Sequence, residues 1–357
     1  MDFQFFIIVM ALLAMGLIMV FSSSSESARY NFNDAYHFIK RQLFWAVISV
    51  IAMLVISRID YHKFGRFALP ILVISAFLLI IVLVIGQELN GGKRWINLGF
   101  STFQPSEAAK IAIIIFFSYS LSRNPGILNS FLTGLMPYLA VLGGFAVLLM
   151  LEPHFSGPVV IAAIGLGILH AGGAKISHLV MLGSPVIAAG WFLILTSEYR
   201  MKRITAFLDP FADKLGDGWQ IIQSLYAIGS GGVLGLGLGR SRQKFLYIPE
   251  PHNDFIFSIL CEELGFIGAL IVILLFAALV WRGIRIAMKA PDRFGSLMAL
   301  GITSLIAIEV IINIAVVTSS MPVTGMPLPF FSYGGTALFA VMLCMGIMLN
   351  ISRQSKI

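Results

Sequence analysis

RSRQKFLYIPEPHNDFIFSILCEE, residues 240–263, runs without a break into LGFIGALIVILLFAALV, residues 264–280. The second half is apolar and long enough to cross hydrocarbon, so this chain is built for a bilayer. The first half carries Arg240, Arg242 and Lys244 through a proline-stiffened PEP turn to Asp254, which stands just before the apolar run. Glu262, Glu263 and then Gly265 imply a short entry helix, a bend, and only then the span proper. An acid at a membrane edge is costly, which makes Asp254 a functional-site candidate.

The composition agrees. Of 357 residues, 58% are hydrophobic and 11% charged, which excludes the soluble globular class and predicts an integral membrane protein. Cys261 and Cys344 both lie in apolar segments, so they read as small buried hydrophobes and give no disulfide or metal framework.

Working outward, the pattern predicts an all-α protein of about ten transmembrane helices, a single polytopic domain over 1–357. Residues 3–21 form the first span, with no basic leader or small-residue cleavage site before it. Residues 22–38, opening on four serines, read as a polar loop. Spans follow at 39–57, 67–86, 105–121, 135–151, 158–170 and 178–196, then the span beyond Gly265, then 296–317 and 336–350. Residues 87–104 read as a loop with an Asn-Gly-Gly turn. Residues 197–253 form one large polar loop. Within it, IGSGGVLGLGLGR (228–240) fits no nucleotide-binding spacing and reads as flexible or close-packed backbone. SSMPVTGMPLPFFSYGG (319–335) holds three prolines and three glycines, so it cannot be a plain helix, and must be packed on protein or line a wet cavity.

Several polar residues stand near the predicted hydrocarbon, each with two readings. Lys40 and Arg41 enter the second span either as snorkelling anchors or as contacts to a lipid phosphate. Glu107 and Lys110 share a helix face at i,i+3, either as a structural pair or in a substrate cavity. Glu152 and His154 flank a proline, weak evidence for acid–base work. Glu309 and Asn313, one turn apart, read as an internal hydrogen-bonded pair before they read as catalytic.

Ten spans put both termini on one side. Placing them in the cytoplasm collects Arg58, Lys63, Arg66, Arg123, Lys175, Arg282, Arg285, Lys289, Arg293, Arg353 and Lys356 inside, against Arg29, Lys40, Arg41, Lys93 and Arg94 outside. That asymmetry satisfies the positive-inside rule, and 197–253 becomes extracytoplasmic. Its cations then call for an anionic substrate at the outer face.

Residues NGGKRWINLG (90–99), FQPSEAAK (103–110), FLDP (207–210), QSLYAIGSGG (223–232), SRQKFLYIPEPHNDFIF (241–257), EELGFIG (262–268), VTGMPLPFFSYGG (323–335) and MLNISRQ (348–354) together resemble the SEDS family of shape, elongation, division and sporulation proteins. The wording is closer to its FtsW and SpoVE branch than to RodA. The resemblance covers nearly the whole chain. It implies a multi-pass protein of the cytoplasmic membrane, a peptidoglycan glycosyltransferase that polymerises lipid II and works with a class B penicillin-binding protein, with Asp254 as the catalytic aspartate. Nothing points to nucleic acid. The chemistry requires a base for a sugar hydroxyl and positive charge for a departing diphosphate. The candidates for the diphosphate or sugar are Lys40, Arg41, Arg94, Lys110, Arg203, Lys244 and His252. A divalent cation, magnesium or manganese, could share that task, although no ligand cluster is visible. A lipid II flippase and a non-catalytic scaffold for a transpeptidase are the alternative readings.

Overall fold

A computed structural model describes residues 1–89, 92–97, 99, 101–152, 156–181, 183, 198–214, 216, 218–245 and 247–355. The protein is almost entirely helical. In chain order the main helices are α1 (Phe3–Phe32), α2 (His37–Ile56), α3 (His62–Arg66), α4 (Ala68–Ile85), α5 (Pro105–Arg123), α6 (Met136–Leu151), α7 (Ser156–Ala171), α8 (Glu198–Leu208), α9 (Trp219–Ser230), α10 (Ile256–Lys289), α11 (Arg293–Val317) and α12 (Gly335–Gln354). Seven stretches among the described residues are long and apolar enough to cross a membrane: α1, α2, α4, α6 with the turn before it, α10, α11 and α12. α5 carries three charges and α7 is shorter, yet both lie where spans are predicted. The seventh predicted span, 178–196, falls largely outside the described residues.

α11 and α12 are the most buried spans, while α2 and α4 keep broad apolar faces outward, as a bilayer solvent requires. α2 packs along α12, α10 along α11, and α5 and α7 against α11. The chain start is tied into this bundle. Asp2 caps α1 through the Phe5 N–H at 3.0 Å and accepts Arg282 Nη2 at 2.7 Å, while its own N–H donates to Ser352 Oγ.

Two local expectations are corrected. The serines of 22–27 do not open a loop: α1 runs on to Phe32, because Ser22, Ser23, Ser24 and Ser27 are buried against other elements and Ser22 Oγ donates to Glu263 at 2.5 Å. Residues 87–104 are also not featureless. Gln87–Leu89 (β1), Gly92–Asn97 (β2) and Thr102–Phe103 (β3) form a small antiparallel sheet in the order β1-β2-β3.

α10 does bend after its two acids. Gly265 sits at φ 67°, ψ −166°, a conformation an L side chain rarely adopts. The break frees backbone groups, and the glycine-rich stretch fills it: Leu236 and Gly237 donate to the carbonyls of Glu262 and Glu263 at 3.0 and 2.9 Å, and Phe266 and Ile267 donate to Gly232 and Val233 at 2.9 and 3.2 Å. A Cβ on Gly235 would stand 2.2 Å from the Glu263 carbonyl oxygen, so the glycines serve close approach. The two buried carboxylates are satisfied by residues 241–244, which follow this segment, and by Ser22 of α1. Glu262 accepts Ser241 Oγ and the Arg242 N–H (2.9 Å), and Glu263 accepts Ser22 Oγ and Lys244 Nζ (3.4 Å).

Candidate active site

Asp254 lies in the turn that leads into α10, half-buried. The turn is held by its backbone. Three successive carbonyls each receive a donor: His252 from the Tyr333 N–H (2.8 Å), Asn253 from Ser332 Oγ (2.8 Å), and Asp254 from Asn313 Nδ2 (2.9 Å). Two of these donors come from the proline- and glycine-rich segment 319–335, which is non-helical as expected, and whose Met326, Leu328, Phe330 and Phe331 are buried in the bundle. Asn313 also donates to Met326 O at 2.7 Å, so one amide group joins α11, the Asp254 turn and this segment. Gly325, at φ +69°, brings bare backbone alongside the carboxylate; a Cβ there would be 3.3 Å from Asp254 Oδ2. The helix start behind Asp254 favours a negative charge.

Glu309 and Asn313 therefore do not pair with one another. Glu309 goes to Lys110 instead, whose buried amine donates to Glu107 at 2.8 Å and to Glu309. The i,i+3 pair of α5 is part of a triad, which takes up two of the three donors of Lys110 inside the bundle.

The other predicted residues disperse. Lys244 is buried, with its amine on Glu263, Gly239 O (2.7 Å) and Ser22 O (3.3 Å); it holds the α10 break together and is not turned toward an anion on the outer face. Lys40 is exposed and bound to Asp34 at 2.8 Å. Arg41 is exposed on α2, near enough to the Tyr333 hydroxyl for its charge to act there. Gln42, next on α2, reaches the same segment, accepting the Gly334 N–H at 3.2 Å. Arg94, on β2, donates from Nε to the main-chain carbonyl of Glu152 at 3.3 Å. Arg203 lies on α8, its side chain outside the described residues, as is His154.

His252 is buried against the rings of Phe38 and Tyr333, at centroid distances of 4.3 and 5.5 Å. Burial pushes its imidazole down to about 4, so at neutral pH it offers an aromatic face and no positive charge for a diphosphate. Sequence reasoning missed Tyr333, Gly325 and the clamp made by Asn313. Their signal was present only as a non-helical glycine-proline segment and one amide in an apolar span.

As for a metal, the described residues contain no group of three or more His, Cys, Asp or Glu side chains placed to hold one. The described residues thus offer no protein-built cage for magnesium or manganese.

Comparison with known proteins adds to this geometry. The model of the FtsW, RodA and SpoVE family, described as cell cycle proteins, matches residues 3–357. The chain belongs to the FtsW/RodA/SpoVE family. This is the grouping that the sequence motifs resemble. Among its members, stage V sporulation protein E of Bacillus subtilis is 47% identical over 99% of this chain and 98% of its own length. A probable peptidoglycan glycosyltransferase FtsW of Trichlorobacter lovleyi is 44% identical over 100% of this chain and 94% of its own. Among solved structures, a chain described under structural coordination of polymerization and crosslinking by a peptidoglycan synthase complex aligns with TM-score 0.81 and 27% identity, covering 99% of this chain and 97% of that one. The rod shape determining protein RodA of Thermus thermophilus shares the fold, with TM-score 0.74, 24% identity, and 100% and 98% coverage.

Proposed function

We propose that this FtsW/RodA/SpoVE family protein is a peptidoglycan glycosyltransferase that polymerises lipid II at the outer face of the cytoplasmic membrane. The observation that carries the reading is the Asp254 turn, whose three carbonyls are pinned from α11 and from residues 332–333, with bare Gly325 backbone beside the carboxylate. Such anchoring holds one acid in a fixed place at the start of a membrane helix, which is what a general base needs. Asp254 takes the proton of the acceptor sugar hydroxyl as its oxygen bonds to the donor anomeric carbon. The bond from that carbon to undecaprenyl diphosphate breaks, and its electron pair leaves with the diphosphate. Attack opposite the leaving group inverts the anomeric centre. Arg41, near the Tyr333 side chain of the segment that pins the Asp254 turn, and Arg94 are the first candidates for the diphosphate; Lys40 and Arg203 are further candidates on the same outer face.

Both termini are assigned to the cytoplasm and residues 197–253 to the outside. Cysteine introduced at Lys214 then labels from outside intact cells and cysteine at Lys289 does not; the reverse pattern would move the chemistry to the wrong side. A class B penicillin-binding protein is the proposed partner, a reading supported by the likeness to a chain of a peptidoglycan synthase complex. The deciding experiment gives labelled lipid II to the purified protein and to Asp254→Asn and Asp254→Ala. Polymer from the parent and none from normally expressed variants is expected. Translocation in vesicles without polymer would identify a flippase, and neither activity a scaffold.

A further inference from the structure

Glu152 is an acid buried without a donor. It closes α6 at 0% exposure, and neither carboxyl oxygen has a hydrogen-bond partner among the described residues. The Arg94 guanidinium bonds its backbone oxygen, 3.3 Å from Nε. Four residues on, Ser156 Oγ donates to Thr324 O at 3.2 Å, and Thr324 Oγ1 is itself buried with no partner among the described residues. The next residue, Gly325, is the one beside Asp254 Oδ2. Ser156, at the start of α7, and Asp254 therefore approach the two-residue stretch 324–325 from separate elements.

A carboxylate buried where nothing donates to it is the expensive form, and taking up a proton is cheaper. Burial pushes Glu152 up to about 8, with Arg94 pulling the other way. The charged group acting on it is Arg94 from β2, and Asp254 lies on the far side of residues 324–325 from Ser156. Of the helices packed on α6 and α7, α5 brings Glu107, Lys110 and, at its far end, Arg123, and α11 brings Arg293 and Glu309; both glutamates are bound to Lys110.

We propose that Glu152 is a positioning residue that works as a neutral carboxylic acid: while it keeps its proton, Arg94 stays on the backbone carbonyl and no second negative charge stands behind the Asp254 site. The inference rests on Asp254 being the base of the transfer. Loss of the Glu152 proton to solvent would offer Arg94 a charge-assisted bond roughly twice as strong as a neutral one. The guanidinium would swing off the carbonyl, and the new charge would repel the substrate diphosphate.

The test is the pH profile of lipid II polymerisation by the full chain, for the parent and for Glu152→Gln, which keeps a neutral donor. The parent is expected to lose kcat/KM by about tenfold per pH unit above about 8, whereas Glu152→Gln stays within about twofold of it at neutral pH and lacks that alkaline fall. A flat parent profile, the same fall in Glu152→Gln, or a loss of more than about tenfold at neutral pH with unchanged thermal stability would overturn the proposal, the last because it signals a required carboxylate charge. Asp254→Asn run in parallel separates the two readings: full activity in that variant would sink the assignment of the base and not the behaviour of Glu152.

Discussion

Asn313 and Asp254 are joined by a single hydrogen bond, 2.9 Å from the amide nitrogen of one to the main-chain oxygen of the other, and the same nitrogen reaches Met326 O at 2.7 Å. A side chain in the middle of the bundle thus fixes where the carboxylate stands. Asn313→Ala leaves two buried carbonyls without their donor and frees the turn. Polymerisation should fall on the order of a hundredfold, since a shift of about an ångström costs that much, while membrane expression persists. Activity near that of the parent would show that the turn does not need the clamp.

Gly325→Ala is expected to act on the same carboxylate from the other side. The residue sits at φ +69°, where an L side chain costs roughly 1–2 kcal/mol. Its new methyl would press on Asp254 Oδ2. A rate loss of roughly tenfold with a small fall in thermal stability is predicted, measured by initial rates and by unfolding in detergent. A stability loss with an unchanged rate would mean that the segment around Gly325 simply moves aside.

Lys110→Met should destabilise the bundle by about 3–5 kcal/mol, because Glu107 and Glu309 are left buried and facing each other without their cation. Adding Glu107→Gln and Glu309→Gln to the same protein should recover most of that loss. If the triple variant is no more stable than Lys110→Met, the charges are not what the lysine offsets.

Stability should also fall in acid because of His252. Its imidazole is ordinarily protonated near 6.5 but in the fold only near about 4. The unfolded chain therefore binds the proton first, so this contribution is complete above 6.5 and is lost as the pH drops toward 4. His252→Phe, which keeps a ring between Phe38 and Tyr333, is expected to flatten thermal stability across that window. An unchanged slope would assign it to other groups.

Much of this was legible in the amino-acid order, for definable reasons. The bend at Gly265 follows from two acids and a glycine ahead of an apolar run, and the non-helical character of 319–335 follows from its prolines and glycines, all local effects. What failed depends on distant partners. The serines after residue 21 look like a loop until Glu263, 241 residues away from Ser22, gives them a buried partner. Lys244 looks like a substrate cation until the same glutamate is seen to hold it. Glu309 and Asn313 share a helix turn, so spacing pairs them, whereas packing sends one to Lys110 and the other to Asp254. Composition registers that a polar group must be satisfied inside a membrane; only the packed chain decides by whom.

The bonded insertion of residues 232–237 into the break of α10 makes that helix two levers with different attachments. The first lever, with Asp254 just before its start, is tied to residues 236–244 through Glu262 and Glu263, and the second is tied to Gly232 and Val233 through Phe266 and Ile267 before it beds into the bundle. A displacement of residues 232–244 is thereby passed to both sides of the break, and so to the helix start behind Asp254. The chain carries its own mechanical linkage between that glycine-rich segment and the placing of the Asp254 carboxylate.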